Sequence, residues 1–139
     1  MKLLITGHKG YIGAWICKLA ENNPQINLVG IDLNLFEGCE IEKLVQIPEL
    51  EVTDIRKINS NMLNDIDVIC HLAAISNDPM GELDSKITTD INLHGTLQLA
   101  ELAKKAGVKK FIFSGSCSIY GSSADKEIDE TGKMLPLST

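Results

Sequence analysis

Three glycines near the start of the chain have the spacing of a phosphate-binding turn. Residues 6–13 read Thr-Gly-His-Lys-Gly-Tyr-Ile-Gly, so that Gly7, Gly10 and Gly13 recur at every third position. The first glycine permits a tight turn, the second lets the backbone approach a pyrophosphate, and the third lets a following helix pack closely. Unpaired N–H groups at the start of that helix would attract an anion. The spacing predicts a dinucleotide site, although an ordinary turn with spare glycines is the alternative.

An acidic residue follows the next apolar run of the chain. Asp32 comes directly after Leu28–Ile31, which has the composition of a short buried strand. A carboxylate in this position accepts hydrogen bonds from an adenosine ribose and repels a ribose 2′-phosphate. The alternative is a solvated loop residue. Together with the glycine turn, Asp32 predicts that the chain binds NAD in preference to NADP.

The elements that must position these residues follow from the apolar pattern. Short β-branched runs alternate with longer segments of helical period, as in β-α-β units of a parallel sheet. We therefore predict an α/β fold, a Rossmann-type doubly wound parallel sheet of about five strands. The predicted strands, of which the third is the weakest, are Lys2–Thr6, Leu28–Ile31, Leu50–Thr53, Ile66–Cys70 and Lys110–Ser114.

Two helices are predicted between these strands. The first begins at Tyr11, and a run of Asn and Pro would end it near Asn22. The second is capped near Asp84 or Ser85 and continues to Ala106. Gly107 would end this helix in the left-handed conformation.

The end of the sequence lacks the pattern of a further helix or strand. Residues 115–139 are rich in Ser, Gly, Asp and Glu, and nothing there predicts a helix that could cover the fifth strand. Parallel sheets are normally covered on both faces. We therefore expect residues 1–139 to form one incomplete domain that is truncated at its C-terminus.

Composition excludes several classes of partner. The chain has 139 residues, of which 44% are apolar and 23% charged, and its formal net charge is −6. Lys and Arg form no cluster that could neutralise a phosphate backbone, so nucleic acid is not an expected partner. The apolar runs are much shorter than the roughly 20 residues of a membrane span, and a cytoplasmic protein is expected. The histidines are too far apart in sequence to predict a local metal site.

Further motifs occur downstream in a fixed order, and with them the sequence resembles a known family. That family is the extended short-chain dehydrogenase/reductases, the NAD-dependent sugar-nucleotide epimerases and dehydratases. The resemblance covers all 139 residues but only the N-terminal part of the family's chains. Besides the glycine turn and Asp32, its carriers are Asp54-Ile55-Arg56, His71-Leu72-Ala73-Ala74, Asn92 with Gly95-Thr96, and the block Phe-Ser-Gly-Ser-Cys-Ser-Ile-Tyr-Gly at 113–121.

The resemblance implies a Rossmann fold with NAD as cofactor. In it, Asp54 and Ile55 would border the adenine, the segment Leu72 to Ala74 would line the cofactor groove, and Ser114 to Ser116 would flank the nicotinamide. The implied cofactor-binding residues are Gly7, Gly10, Tyr11, Ile12, Gly13, Asp32, Asp54, Ile55, Leu72, Ala73, Ala74 and Ser114.

Four polar side chains beside these motifs receive simpler interpretations. His71, at the end of a predicted strand, is expected to be a structural histidine with satisfied hydrogen bonds. Asn92 either bonds to backbone or water or has a role near the site. His8 and Lys9, inside the glycine turn, are expected to face solvent.

The resemblance also assigns chemistry that this chain carries only in part. In the family a Tyr-x-x-x-Lys pair transfers the proton, with both side chains on one helix face. Four residues after Tyr11 and Tyr120 stand Trp15 and Ala124, so the pair is absent from this sequence. Ser116 matches the family's serine, which hydrogen-bonds the substrate hydroxyl, and is the one candidate catalytic residue. Its alternative is a serine that caps a turn of the backbone.

Two hypotheses for function remain open on the sequence alone. The first is the NAD-binding N-terminal portion of a sugar-nucleotide epimerase or dehydratase, inactive alone because the Tyr-x-x-x-Lys pair is missing. A sugar nucleotide would then bind only to a full-length form. The second is a stand-alone, non-catalytic NAD-binding module that acts as a sensor or scaffold. Family resemblance further implies a homodimer that packs through the long helix from about Asp84 to Ala106.

Overall fold

A computed structural model describes residues 1–39, 43–76, 78–121 and 127–137. Strands and helices alternate along it. The helices outnumber the two that were predicted, because the second is divided into segments and a short helix that was not predicted precedes it. The strands are β1 (Lys2–Thr6), β2 (Asn27–Ile31), β3 (Val68–His71) and β4 (Lys110–Phe113). The α-helices are α1 (Tyr11–Ala20), α2 (Asp78–Leu83), α3 (Ser85–Thr89) and α4 (Thr96–Ala106).

The described strands form one parallel sheet in the order β2-β1-β3-β4. From β1 the chain crosses to β2 at one edge of the sheet, and from β3 it crosses to β4 at the other edge. Each crossover passes through helical segments, as the predicted doubly wound α/β fold requires. The fold class is therefore confirmed.

The predicted third strand, Leu50–Thr53, is wrong within the described residues. On the edge of β2 away from β1, the described part of the chain forms only an isolated bridge between Gly30 and Glu49. The last hydrogen bond of this bridge runs from Leu50 N–H to the Gly30 carbonyl, at 2.9 Å. Just beyond it, the carboxylate of Asp54 caps a 3₁₀ turn at Ile55–Lys57, which turns the chain away from the sheet.

The predicted long helix is confirmed, with one irregularity. Asp84 caps its start by accepting hydrogen bonds from the N–H groups of Lys86 and Ile87. Helical backbone continues through α3, a π-helical segment at Asp90–Gly95 and α4. Gly107 ends the helix with φ 78°, in the left-handed region.

Apolar side chains pack on both faces of the sheet. One face carries the larger core, where Leu4, Ile69 and Leu99 are fully buried between the strands and α4. The opposite face packs Ile5 and Cys70 of the sheet against Cys17 of α1. This covering explains why β1 is apolar from Leu3 to Ile5.

Strand β4 is less well covered than the other strands. Ile112 is 46% exposed and Phe113 is 59% exposed, although Phe111 packs against the larger core. Among the described helices, none has the length and apolar composition needed to cross a membrane.

Candidate functional site

The site lies at the carboxyl edge of the sheet, where the connections of β1 and β3 diverge. These strands are neighbours, but β1 connects to β2 on one side and β3 connects to β4 on the other. In open α/β sheets such a divergence leaves a crevice above the strand ends, and ligands bind there. The predicted glycine turn follows β1, and Leu72 and Ala73 follow β3, so both border this crevice.

The glycine turn has the close contacts that its sequence predicts. Gly7 adopts φ 74°, a conformation that favours glycine, and its N–H donates to the Ile31 carbonyl at 2.8 Å. A Cβ on Gly13 would lie 2.2 Å from the Gly7 carbonyl oxygen and 2.6 Å from Cα of His8. A Cβ on Gly10 would lie 3.3 Å from the same oxygen. The turn and the first turn of α1 therefore pack together at a distance that only glycine at position 13 allows.

Asp32 is held beside this turn by two backbone N–H groups. Its Oδ2 accepts a hydrogen bond from Lys9 N–H at 2.9 Å, and its Oδ1 accepts one from Asn34 N–H at 2.8 Å. The carboxylate therefore has a fixed orientation at the end of β2. Each oxygen keeps further acceptor capacity, which is what a ribose hydroxyl requires.

Thr6 and His71 connect the glycine turn to the end of β3. The Thr6 hydroxyl oxygen accepts hydrogen bonds from the N–H groups of Leu72 and Ala73, both at 3.1 Å, and lies 2.7 Å from His71 Nδ1. His71 Nε2 lies 2.8 Å from the hydroxyl of Thr96 in α4. Both ring nitrogens are thus engaged, and His71 is the structural histidine that the sequence predicted.

The protonation of His71 follows from its surroundings. The side chain is 2% exposed, and burial lowers its pKa from 6.5 to about 4. A neutral imidazole carries one proton, and the hydroxyl of Thr6 supplies the hydrogen bond to Nδ1. We therefore assign the proton to Nε2, which donates to Thr96.

His8 does not face solvent, contrary to the prediction, whereas the Lys9 side chain is partly exposed. His8 is 4% exposed, and its ring lies over Gly30, where any Cβ would come within 2.6 Å of the ring. Glu49 Oε1 lies 3.3 Å from His8 Nε2 and 3.0 Å from Lys9 Nζ. The sequence signal was the glycine within β2, which leaves the space that the imidazole fills.

Asp54 caps the 3₁₀ turn that begins at Ile55. Ile55 is buried in the larger core, and the Asp54 carboxylate pairs with Arg56, whose Nη2 lies 2.7 Å from Oδ2. Hydrogen bonds from Arg56 lower the pKa of Asp54 against the opposing effect of burial, so this carboxylate is ionised at neutral pH. Arg56 also contacts Asp90, which ties the turn to the π-helical segment.

Asn92 holds the loop after β3 by a pair of hydrogen bonds. Its Oδ1 accepts from Ile75 N–H at 2.8 Å, and its Nδ2 donates to the Ile75 carbonyl at 2.9 Å. The predicted alternative of a bond to backbone is therefore correct. Gly95 lies on the same helical segment. A Cβ added at this position would be only 3.1 Å from Cδ1 of Ile55, so the glycine makes room for the Ile55 side chain.

Ser114 and Ser116 lie beyond the end of β4 and are exposed. Ser114 N–H donates to the His71 carbonyl at 3.2 Å, which places it at the same edge of the sheet as Leu72. Ser116 caps the 3₁₀ turn Cys117–Tyr120, because its Oγ accepts from Ser118 N–H at 3.1 Å. This capping is the alternative predicted for Ser116. Its hydroxyl also donates to Ser118 Oγ at 2.9 Å, and the residue is exposed.

The structure therefore gathers most of the predicted cofactor residues around one crevice. The glycine turn, Asp32, the segment after β3 and Ser114 follow the carboxyl ends of four adjacent parallel strands. Tyr11 and Ile12, in the first turn of α1, are exposed. The glycine cradle, the free N–H groups at the start of α1 and the fixed carboxylate together suit the pyrophosphate and ribose of a dinucleotide.

Comparison with known proteins agrees with this geometry. The profile of the NAD dependent epimerase/dehydratase family matches residues 3–139. The dTDP-D-glucose 4,6-dehydratase of Mus musculus is 27% identical over 144 residues, covering 97% of the chain and 41% of that protein. The UDP-glucose 4-epimerase of Rhizobium meliloti is 32% identical over 142 residues, again covering 97% of the chain and 41% of that protein. The chain thus spans less than half the length of these relatives.

A solved structure extends the comparison to three dimensions. The UDP-glucuronic acid 4-epimerase of Bacillus cereus, in complex with UDP-glucuronic acid and NAD, superposes with a TM-score of 0.83 at 30% identity. The superposition covers 99% of this chain and 47% of that one. Because the family profile spans nearly the whole sequence, the chain belongs to the NAD-dependent epimerase/dehydratase family.

Proposed function

We propose that this chain forms the NAD-binding portion of a sugar-nucleotide epimerase or dehydratase. The observation that carries the proposal is the glycine turn of β1 and the carboxylate of Asp32, which meet at the divergence of the sheet and are joined by the Lys9 N–H hydrogen bond of 2.9 Å. The NAD and UDP-glucuronic acid named with the Bacillus cereus structure support the choice of ligand class.

Each predicted site residue has a role in this proposal. The pyrophosphate would lie against the glycine turn and the exposed start of α1, near Tyr11 and Ile12, and the adenosine ribose would bind Asp32. Asp54 and Ile55 would border the adenine. The segment from Leu72 to Ala74 would line the groove, and Ser114 would flank the nicotinamide. These positions suit the proposal because the end of β3 and the glycine turn are directly hydrogen-bonded through Thr6.

Binding by the 139-residue chain can be tested by calorimetric titration with NAD⁺. We expect saturable binding that weakens at least tenfold in Asp32→Ala, because the ribose hydroxyls lose a charged acceptor worth about 1.5–3 kcal/mol. Glu51→Ala removes an exposed carboxylate of the same charge and should bind NAD⁺ as the wild type does. Absence of heat from folded wild-type protein would contradict the proposal.

The catalytic step is proposed to need residues beyond these 139. Ser116 would hydrogen-bond the sugar hydroxyl in a full-length form, where a sugar nucleotide binds, but no Tyr-x-x-x-Lys pair is present in this sequence. Because a positioned general base is worth about 10²–10⁴-fold in rate, we expect no measurable turnover of UDP-glucose or dTDP-glucose by this chain. Turnover at the rate of an intact enzyme would contradict this part of the proposal.

A non-catalytic NAD-binding sensor or scaffold is the second candidate. It is favoured by one contact, in which Leu135 N–H donates to the Ile119 carbonyl at 2.9 Å and brings residues 127–137 back against the turn after β4. Limited proteolysis distinguishes the two candidates. Resistance of residues 127–137 would favour the stand-alone module, whereas rapid removal with NAD⁺ binding intact would favour the first candidate.

We propose that the chain associates as a homodimer through the long helix. Leu93 is 50% exposed and Leu97 is 55% exposed, and their spacing of four places both on one helix face. Sedimentation of the wild type should show a dimer that Leu97→Glu dissociates. A monomer at micromolar concentration would contradict this association.

A further inference from the structure

Glu49 occupies a fixed position beside the glycine turn that the sequence did not predict. Its backbone is anchored to β2 on both sides, since Gly30 N–H donates to the Pro48 carbonyl at 2.8 Å and Leu50 N–H donates to the Gly30 carbonyl at 2.9 Å. The Glu49 side chain is therefore presented from a rigid support.

The Glu49 carboxylate binds both non-glycine residues between the first two glycines. One oxygen, Oε1, lies 3.0 Å from Lys9 Nζ and 3.3 Å from His8 Nε2. Burial alone would raise the pKa of Glu49, but hydrogen bonds and charge from Lys9 and His8 lower it. Glu49 is therefore ionised at neutral pH and neutralises the Lys9 ammonium.

Lys9 consequently lies between two carboxylates. Its backbone N–H donates to Asp32 Oδ2 at 2.9 Å, and its side-chain ammonium is directed to Glu49. Asp32 is the acid proposed to bind the adenosine ribose. The cation of the residue that makes this contact is well placed to attract a 2′-phosphate, which carries about −1.5 to −2 charge, unless the cation is already paired.

We propose that Glu49 is a specificity-determining residue that makes this site select NAD over NADP. It does so by pairing with the Lys9 ammonium, whose charge is then unavailable to a ribose 2′-phosphate. This inference rests on the proposed function, because it concerns the same cofactor site. It assigns part of the discrimination to a residue outside both the glycine turn and β2.

The test is the ratio of the dissociation constants of NADP⁺ and NAD⁺, measured by calorimetry on the 139-residue chain. Glu49→Gln keeps the shape of the side chain and removes its charge. We expect this variant to lower the ratio by about fivefold or more, since one unit charge near the phosphate is removed at the protein surface. The decrease should be smaller in 1 M salt, where the Debye length is only about 3 Å. Glu51→Gln, two positions away and exposed, should leave the ratio unchanged.

A second pair of variants shows whether Lys9 transmits the effect. Lys9→Met should raise the ratio above that of the wild type, because Glu49 is then left unneutralised. Lys9→Met combined with Glu49→Gln should lose the gain in NADP⁺ affinity seen for Glu49→Gln alone. A gain that persists without Lys9 would overturn the inference, as would an unchanged ratio in Glu49→Gln. Wild-type protein that binds no NAD⁺ would instead contradict the proposed function itself.

Discussion

The hydroxyl of Thr6 lies 2.7 Å from Nδ1 of His71, and this contact joins the two central strands at the carboxyl edge of the sheet. The same hydroxyl oxygen accepts the N–H groups of Leu72 and Ala73. The Thr6 side chain of β1 therefore orients the end of the neighbouring strand β3. The two segments proposed to border the cofactor are therefore directly joined.

Thr6→Val tests the link by removing the hydroxyl while keeping the volume of the side chain. We expect the free energy of unfolding to fall by about 2–3 kcal/mol, because His71 Nδ1 and the Ala73 N–H lose their buried partner. Urea denaturation measures the change. Thr6→Ser should recover most of it, and Thr53→Val, at an exposed position, should have little effect. Equal stability of wild type and Thr6→Val would contradict the assigned network.

The buried imidazole of His71 predicts a pH dependence of stability. Its folded pKa of about 4 lies below the ordinary 6.5 of an unfolded histidine, so acid favours the unfolded state. The stabilisation is complete above pH 6.5 and is lost as the pH falls toward 4, by about 3 kcal/mol in total. His71→Gln, which cannot titrate, should show a flatter dependence over this interval.

NMR can observe the same group directly. The Nε2 resonance of His71 should be that of a protonated nitrogen, and the Nδ1 resonance that of an acceptor, at every pH above about 5. A ring that titrates near pH 6.5, or that carries its proton on Nδ1, would contradict the hydrogen bonds assigned to Thr6 and Thr96.

Gly13→Ala tests the close contact between the glycine turn and α1. The added Cβ would lie 2.2 Å from the Gly7 carbonyl oxygen, so the turn or the helix must move. We expect the free energy of unfolding to fall by about 1–3 kcal/mol, because overpacking displaces the backbone. We also expect NAD⁺ binding to weaken, since this backbone forms the glycine cradle. Gly81→Ala is the matched control, because its Cβ would meet atoms no closer than 3.7 Å. Thermal unfolding and calorimetry on the two variants measure both effects.

Asn92→Ala tests the support of the loop after β3. The variant loses both hydrogen bonds to Ile75, and we expect a decrease of about 1–2 kcal/mol in the free energy of unfolding. Hydrogen exchange of residues 73–76 should become faster, while Asn22→Ala, at an exposed position after α1, should leave it unchanged. Unaltered exchange in Asn92→Ala would show that other contacts hold the loop.

The sequence predicted those features whose causes are local. The glycine turn, the Asp84 cap and the left-handed Gly107 each depend on residues within one turn of the backbone, and the structure has all three. Strand β1 was predicted from its nearly unbroken apolar run, which suits a strand that is buried on both faces.

The features that were missed depend on residues far apart in the chain. His8 was expected to face solvent because its neighbours are turn residues, but Gly30 provides a space for its ring and Glu49 provides a partner. Leu50–Thr53 has the composition of a strand, yet among the described residues this part of the chain pairs with β2 at one isolated bridge, between Gly30 and Glu49. Such outcomes depend on tertiary contacts, which the hydrophobic periodicity of the sequence does not predict.

The location of the cofactor site is tested most directly by an NMR titration of the ¹⁵N-labelled 139-residue chain with NAD⁺. We predict that amide shifts cluster at the carboxyl edge of the sheet, in the glycine turn, at Asp32 and at residues 72–74, with smaller changes at Ser114. The amide resonances of α4 from Leu99 to Ala106, which packs on a face of the sheet, should not shift. Saturable shifts confined to another surface, or no shifts from folded protein at millimolar NAD⁺, would contradict this location.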